Sequence, residues 1–249
     1  MDLEKIVGFL EEIAPPYLAE DFDEGRIGLI LNLENDVKKI AVALDANAYT
    51  LERAAEVGAD LLITHHTLIF QPVTIISKPL AASLRLALEN RISLYSMHTN
   101  YDRAKGGVND VLAARLGLGN VEEAGMGRIG EIDPCSSAEL AAHVSKCLRA
   151  PVMYAGEKEG IRRIMVMGGS CFRSEYLEVA RLCSVDAVIS SELKHDILRS
   201  YGDLCLVDAT HYATENPGME ALCPRLRELL GLDVVFIEQP TGLKAINRG

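Results

Sequence analysis

A chain that repeats itself at long range can fold in few ways, and this one does. Leu177, Ala180 and Asp186 stand 126 positions after Leu51, Ala54 and Asp60. Asp186-Ala187-Val188-Ile189-Ser190-Ser191-Glu192 thereby parallels Asp60-Leu61-Leu62-Ile63-Thr64-His65-His66. The strands that follow match as well, Leu94-Tyr95-Ser96-Met97-His98 against Leu204-Cys205-Leu206-Val207-Asp208-Ala209-Thr210-His211. Generic strand-helix-strand patterns resemble one another, but here polar residues keep register too. Duplication predicts two similar α/β halves packed face to face, divided as 1–124 and 125–249.

Within the first half, helical spacing of Leu3, Ile6, Val7, Leu10 and Ile13 predicts a helix over 2–14, stopped by Pro15-Pro16. Ala19 to Gly28 is acidic and reads as irregular. Leu29–Leu33 and Ile40–Leu44 read as strands, and Thr50 reads as the cap of the helix before Gly58. Leu61 to Ile63 is a continuous apolar run, as in a strand buried on both faces. A helix over Pro79–Leu88, a strand over Ile92–Met97, an exit loop His98–Asp102 and a helix over Val108–Leu116 follow. From Gly119 to Gly160 the pattern weakens to a Gly-rich patch, a helix over Ser137–Leu148 and an apolar Val152-Met153-Tyr154. Arg163–Met167 then reads as the counterpart of Ile40–Leu44. Alternating strands and helices argue for parallel βαβ units.

The balance of 36 acidic against 25 basic residues, net −11, disfavours nucleic acid and anionic membrane as partners. No apolar run reaches a membrane span, and Met1-Asp2-Leu3-Glu4 is unlike a signal segment, so a cytoplasmic protein is expected. The six cysteines are dispersed and never form C-x-x-C, the pattern of reduced, mostly buried thiols.

The chemistry gathers at strand exits, where α/β folds place their sites. His65 and His66 end one strand; His98-x-x-x-Asp102 ends another and is echoed by His211-x-x-x-Glu215, each followed by a Gly and an apolar helix start (Gly107-Val108, Gly218-Met219). A lone His-His pair is more simply a core and a surface histidine, and a lone His-x-x-x-Asp/Glu is common on surfaces. Together these residues offer the mixed nitrogen and oxygen donors that two divalent ions require. Such a mixture suits Zn²⁺, Fe²⁺, Mn²⁺ or Co²⁺ better than Mg²⁺ or Ca²⁺.

The run Gly58–Phe70 with its His-His, His98-Thr99-Asn100-Tyr101-Asp102 with Gly107-Val108-Asn109-Asp110, and His211-Tyr212-Ala213-Thr214-Glu215 together resemble the GTP cyclohydrolase 1 type 2 family, also called the Nif-three-like family. The likeness extends from about Gly28 to the C-terminus. It implies two intertwined α/β halves, a dinuclear metal site in the cleft between them, and a ring-shaped homohexamer. On matching positions the ligands are His65, His66, Asp102, His211 and Glu215, with His98 just outside, orienting a ligand or substrate. Departures are Glu24-Gly25-Arg26 before Ile27-Gly28-Leu29 in place of the usual Trp-Asp-Asn, Thr67 after His-His in place of the usual Pro, Ser190-Ser191-Glu192 for Thr-Gly-Glu, and Thr210 before the last His in place of the usual Gly. None removes a ligand; they bear on the substrate. The chain also lacks room for the inserted domain of longer members.

Family likeness also turns Glu192 and His195 toward the cavity, as general base and substrate contact; the plainer reading is an exposed helix start. His143 reads as a surface helix residue. Gly168-Gly169-Ser170 reads as a tight turn, with phosphate contact the alternative. The expectation is a metal-dependent hydrolase acting on a nucleotide or related small molecule; the alternative is a non-catalytic metal-binding regulator or metal-handling protein.

Overall fold

The computed structural model of the chain describes residues 1–241 and 243; Gly242 and residues 244–249, the tail of the expected second half, lie outside the described residues. The chain opens with α1 (Leu3–Ile13), capped by the Asp2 carboxylate and burying Leu3, Ile6, Leu10 and Ile13. Two short 3₁₀ turns follow, Pro16–Leu18 and Asp21–Asp23, the second within the acidic stretch expected to be irregular. Then come β1 (Gly28–Leu31), β2 (Lys39–Asp45), α2 (Ala48–Glu56) and β3 (Leu61–His66). Asn47, not Thr50, caps α2: Asn47 accepts from the Thr50 N–H while the Thr50 hydroxyl accepts from the Asn47 N–H, a reciprocal capping box. The chain continues through α3 (Lys78–Glu89), β4 (Ser93–Ser96), α4 (Thr99–Arg103), α5 (Val108–Arg115), β5 (Gly119–Ala124), β6 (Gly127–Cys135), α6 (Ser137–Leu148) and β7 (Met153–Ala155). It ends with β8 (Ile161–Val166), α7 (Ser174–Leu182), β9 (Ala187–Ser190), α8 (His195–Ser200), β10 (Cys205–Asp208), α9 (His211–Leu230) and β11 (Asp233–Phe236).

Two compact units result, Met1–Gly107 with Met219–Pro240, and Val108–Gly218. Sequence reading divides the chain once, at 124; the compact units change over at Gly107 and again inside α9. The first unit holds a five-stranded sheet ordered β1-β4-β3-β2-β11, in which only β1 runs antiparallel to its neighbour. The second holds a six-stranded sheet ordered β5-β6-β8-β9-β10-β7. At its centre β8, β9 and β10 are parallel, and β7 lies antiparallel on β10.

Each unit thus carries the same nucleus: three parallel strands joined by helices, with an antiparallel strand beside the third. The duplication is legible atom by atom. The Asp60 carboxylate accepts from the N–H groups of Lys38 and Lys39, and the Asp186 carboxylate from those of Arg162 and Arg163. Ala59 N–H reaches Ala54 O, as Val185 N–H reaches Ala180 O; Met97 N–H reaches Thr64 O, as Ala209 N–H reaches Ser190 O. Strand alternation sends Ala41, Leu62 and Leu94 into a core with Leu51 and Ala54 of α2. In the second unit Val166, Ile189 and Val207 face one core, and Met165, Val188 and Leu206 face another across the same sheet.

The Gly-rich patch is a β-hairpin. Gly127 and Gly130 are required by close approach: a Cβ on Gly127 would stand 2.6 Å from Val166 O, and one on Gly130 would stand 2.8 Å from Leu118 Cβ. The expected exit loops are helical, α4 after β4 and the first turns of α9 after β10, so His211 and Glu215 lie one helical turn apart. Helix α9 begins seven residues before Gly218 and contains Pro217 and Pro224, which cannot donate to an i−4 carbonyl. Burial of Ala213, Met219, Leu222 and Leu226 offsets that loss.

Candidate metal centre

In the first unit β3 ends in His65 and His66, and β4 runs out into His98 and α4. One ring nitrogen of each of His65, His66 and His98 lies within 4.8 Å of the other two. The rings crowd at centroid separations of 4.9–5.5 Å. His65 Nδ1 sits 2.9 Å from the Met97 carbonyl oxygen, which can only accept, so Nδ1 carries the proton. His66 Nδ1 lies 2.5 Å from Asp45 Oδ1, and His98 Nδ1 lies 2.8 Å from Asp23 Oδ1; both donate by the same logic. Each ring therefore offers Nε2 as a lone pair. Metal-binding histidines are held in this way, the far nitrogen tied to a carboxylate or carbonyl.

His65 Nε2 stands 3.4 Å from Asp102 Oδ1, with both residues buried. A lone pair facing a carboxylate oxygen in a dry setting is unfavourable, and a shared cation removes the conflict. Imidazole nitrogens, with a carboxylate beside His65, suit a borderline divalent ion. Asp23 is fully buried: burial pushes its carboxyl up, but hydrogen bonds from His98 and Thr99 outweigh that and hold it below the ordinary range.

The second unit presents a smaller set. His211 opens α9, its Nδ1 is 2.6 Å from Glu192 Oε1, and its Nε2 is 3.1 Å from Glu215 Oε2. The ring either takes a second proton between the two carboxylates or donates to Glu192 and shares a cation with Glu215. Glu192 sits at φ +60°, and the hydrogen bond from His211 is the chief cause of a carboxyl held below its ordinary range. His195 is exposed at the start of α8 and belongs to none of the metal-capable groups among the described residues. His143 lies on α6 and its Nε2 is 2.9 Å from Leu116 O, a structural contact.

Gly168 and Gly169 form no phosphate cradle. Their N–H groups are taken by Asn109 Oδ1 at 2.7 Å and Thr214 Oγ1 at 3.0 Å. A Cβ on Gly169 would collide with Glu215 Oε1 and come within 3.1 Å of His211 Nε2. At φ +68° the turn after β8 leaves room for two candidate ligands.

The echo of His98-x-x-x-Asp102 in His211-x-x-x-Glu215 is one residue out of register. The ladder bonds align Met97 with Ala209, and hence His98 with Thr210 and Thr99 with His211. His98 precedes its helix, whereas His211 is the first residue within one. Sequence reasoning missed Asp45, Asp23 and the Met97 carbonyl. Asp45 had a signal, an acid ending the strand that pairs in register with His66. Asp23, inside the irregular acidic stretch, had none.

Fold and site define a class: duplicated α/β proteins whose strand exits carry buried histidine and carboxylate sets able to hold a metal ion. A family model described as Duf34/NIF3 (NGG1p interacting factor 3) matches residues 1–242, and the chain belongs to that family. A Clostridium perfringens protein named GTP cyclohydrolase 1 type 2 homolog is 32% identical, with 95% of each chain covered. A solved structure described as reduced HcgD from Methanocaldococcus jannaschii is 29% identical with a TM-score of 0.84, covering 96% of this chain and 98% of that one. The solved protein ybgI, described as of unknown function, is 27% identical with a TM-score of 0.90, covering 98% and 100%.

Proposed function

We propose that His65, His66, Asp102, His211 and Glu215 hold two divalent transition-metal ions, Zn, Fe, Mn or Co, and that the protein is a metal-dependent hydrolase of a nucleotide or related small molecule. The observation that carries this reading is the common set of the histidines: Nδ1 anchored, and Nε2 of His65 and His211 facing a carboxylate oxygen. The relatives' name, GTP cyclohydrolase 1 type 2 homolog, supports the substrate class. Divalent ions so held supply Lewis acidity and lower the pKa of water. The protein's own part is orientation. Asp45 and the Met97 carbonyl aim two rings, Asp23 keeps a proton on His98 Nδ1, and buried β3 and β4 keep bulk water from behind the ligands. In this reading His98 orients a ligand or substrate, and His195 touches substrate only if it enters from the exposed α8 end. The homohexamer and the cytoplasmic setting belong to the same reading, the first resting on family likeness. No helix among the described residues is long and apolar enough to cross a membrane.

A second reading, a metal-binding regulator or metal-handling protein without turnover, gains from the position of Glu192. The carboxylate expected to serve as general base is engaged with His211 Nδ1. Glu192→Gln should therefore weaken metal binding by roughly 10–100-fold, as loss of an anchoring partner does. Unchanged affinity with turnover lowered by roughly 10²–10⁴-fold would restore the general-base role. Elemental analysis of reconstituted protein should find about two equivalents per chain; one or none refutes the dinuclear set. Turnover of a nucleotide, phosphoester or cyclic amide by loaded protein separates hydrolase from carrier.

A further inference from the structure

We infer that Arg26 and Phe70 form a binding subsite for an anionic group, phosphate or carboxylate, carried on a flat apolar body. The two residues lie in the first unit and line a cavity of about 490 Å³ whose other walls include Glu24, Ile27, Ile30 and Ile69. The Arg26 guanidinium stands 4.6 Å over the Phe70 ring, and its Nε donates to the Phe70 carbonyl at 2.6 Å. With the stem half-buried, one face on an aromatic ring and Nε tied to backbone, the fork that remains is the Nη pair. That edge is preorganised for a planar or tetrahedral oxyanion. Arg53, Arg103, Arg128, Arg162, Arg163 and Arg181 each spend their charge on a carboxylate within the fold. Arg26 pairs with none among the described residues, although Glu24 lies two positions away and the chain is strongly acidic.

The subsite adjoins the histidine group. The Phe70 ring meets the His98 ring edge-on at 6.2 Å and 85°, and Phe22 meets it from another side at 6.1 Å. A molecule with its anion on Arg26 and its apolar body along Ile69 and Phe70 would have its far end toward His98. Here the inference rests on the metal-site reading, but the binding step does not. Arg26 and Phe70 act on affinity and orientation; neither is assigned a bond-making role.

Phenyl phosphate, benzoate and phenol titrated calorimetrically into chelator-treated and metal-loaded protein test the inference. Phenyl phosphate or benzoate should bind, and the two arms tell which anion is preferred. Arg26→Gln should weaken the anion by roughly tenfold or more, the weight of a charge-assisted hydrogen bond, and leave phenol unchanged. Arg26→Lys should recover part of the loss, while Phe70→Leu should weaken all three ligands. Metal content of Arg26→Gln should equal that of the unaltered protein, so loss of the subsite and failure of the metal site are read separately. Equal anion binding by Arg26→Gln and unaltered protein in both metal states would overturn the inference, as would no binding by the unaltered protein. If Arg26→Gln proves unstable, anion binding by Arg26→Lys weaker than by the unaltered protein, with phenol binding unchanged, supports it, and anion binding equal to the unaltered protein counts against it.

Discussion

Gly169 shows how one absent side chain can govern a site. It occupies φ +68° and abuts Glu215 and His211, whereas Gly160 has the same φ with open space around it. Alanine at either position pays the left-handed backbone cost of about 1 kcal/mol; only at Gly169 must it also displace two candidate ligands. Gly160→Ala should therefore lower thermal stability slightly and leave metal binding intact. Gly169→Ala should lose bound metal, read by elemental analysis against the Gly160→Ala control; equal metal content in both would refute the positioning role. The thiols offer a second residue-scale check. Cys205 and Cys223 are buried, and burial pushes the Cys223 thiol up to about 11. The raised value keeps that thiol protonated at pH 8, so of the six thiols no more than four should react readily with a disulfide reagent until the protein unfolds. Fast labelling of all six in the folded protein would count against this packing.

Among elements, the paired aspartates are the clearest consequence of duplication. Asp60 and Asp186 each accept from two successive backbone N–H groups at the start of a parallel strand, β2 and β8. Asp60→Ala and Asp186→Ala should each cost about 1–3 kcal/mol, because N–H groups are left without an acceptor. Denaturant unfolding of the two variants should give similar losses; a loss in one half alone would mean the two copies no longer do the same work. The hairpin β5–β6 carries the opposite lesson. Its strand pattern is hidden by Gly119, Gly127, Gly130 and Pro134, and β5 is exposed along most of its length. Gly127 and Gly130 are explained only by the atoms that crowd them from neighbouring strands.

For the whole molecule, a bound ion stabilises by mass action. Metal at a hundred times its Kd should add about 2.7 kcal/mol, and for a chain of this length raise Tm by about 5–10 °C. Chelation should reverse the shift; a melting temperature blind to both would argue against a site formed only in the folded state. If the homohexamer is right, light scattering should return about six times the 27.1 kDa chain mass, and a monomer mass would refute it.

By itself the sequence determined the alternation of strands and helices, the duplication, the solvent-averse β3 and β9, and the strand exits that carry histidine and acid. These are local: apolar periodicity and turn chemistry act within a few residues, and a copied segment keeps both. Helix α6 starts where local chemistry places it, because Ser136 and Glu139, three residues apart, form a capping box. The tertiary structure alone decided what depends on distant atoms meeting. It set the one-residue offset between His98 and His211, because ladder bonds and not motif spacing align the halves. It turned exit loops into helices, returned β11 to pair with β2, and kept α9 helical through two prolines. It also brought Glu192 against His211 Nδ1, and made Asp23, an unremarked acid, the anchor of His98. Nothing in the spacing of Asp23 and His98, 75 residues apart, announces that contact; it exists because folding brings a 3₁₀ turn against the end of β4.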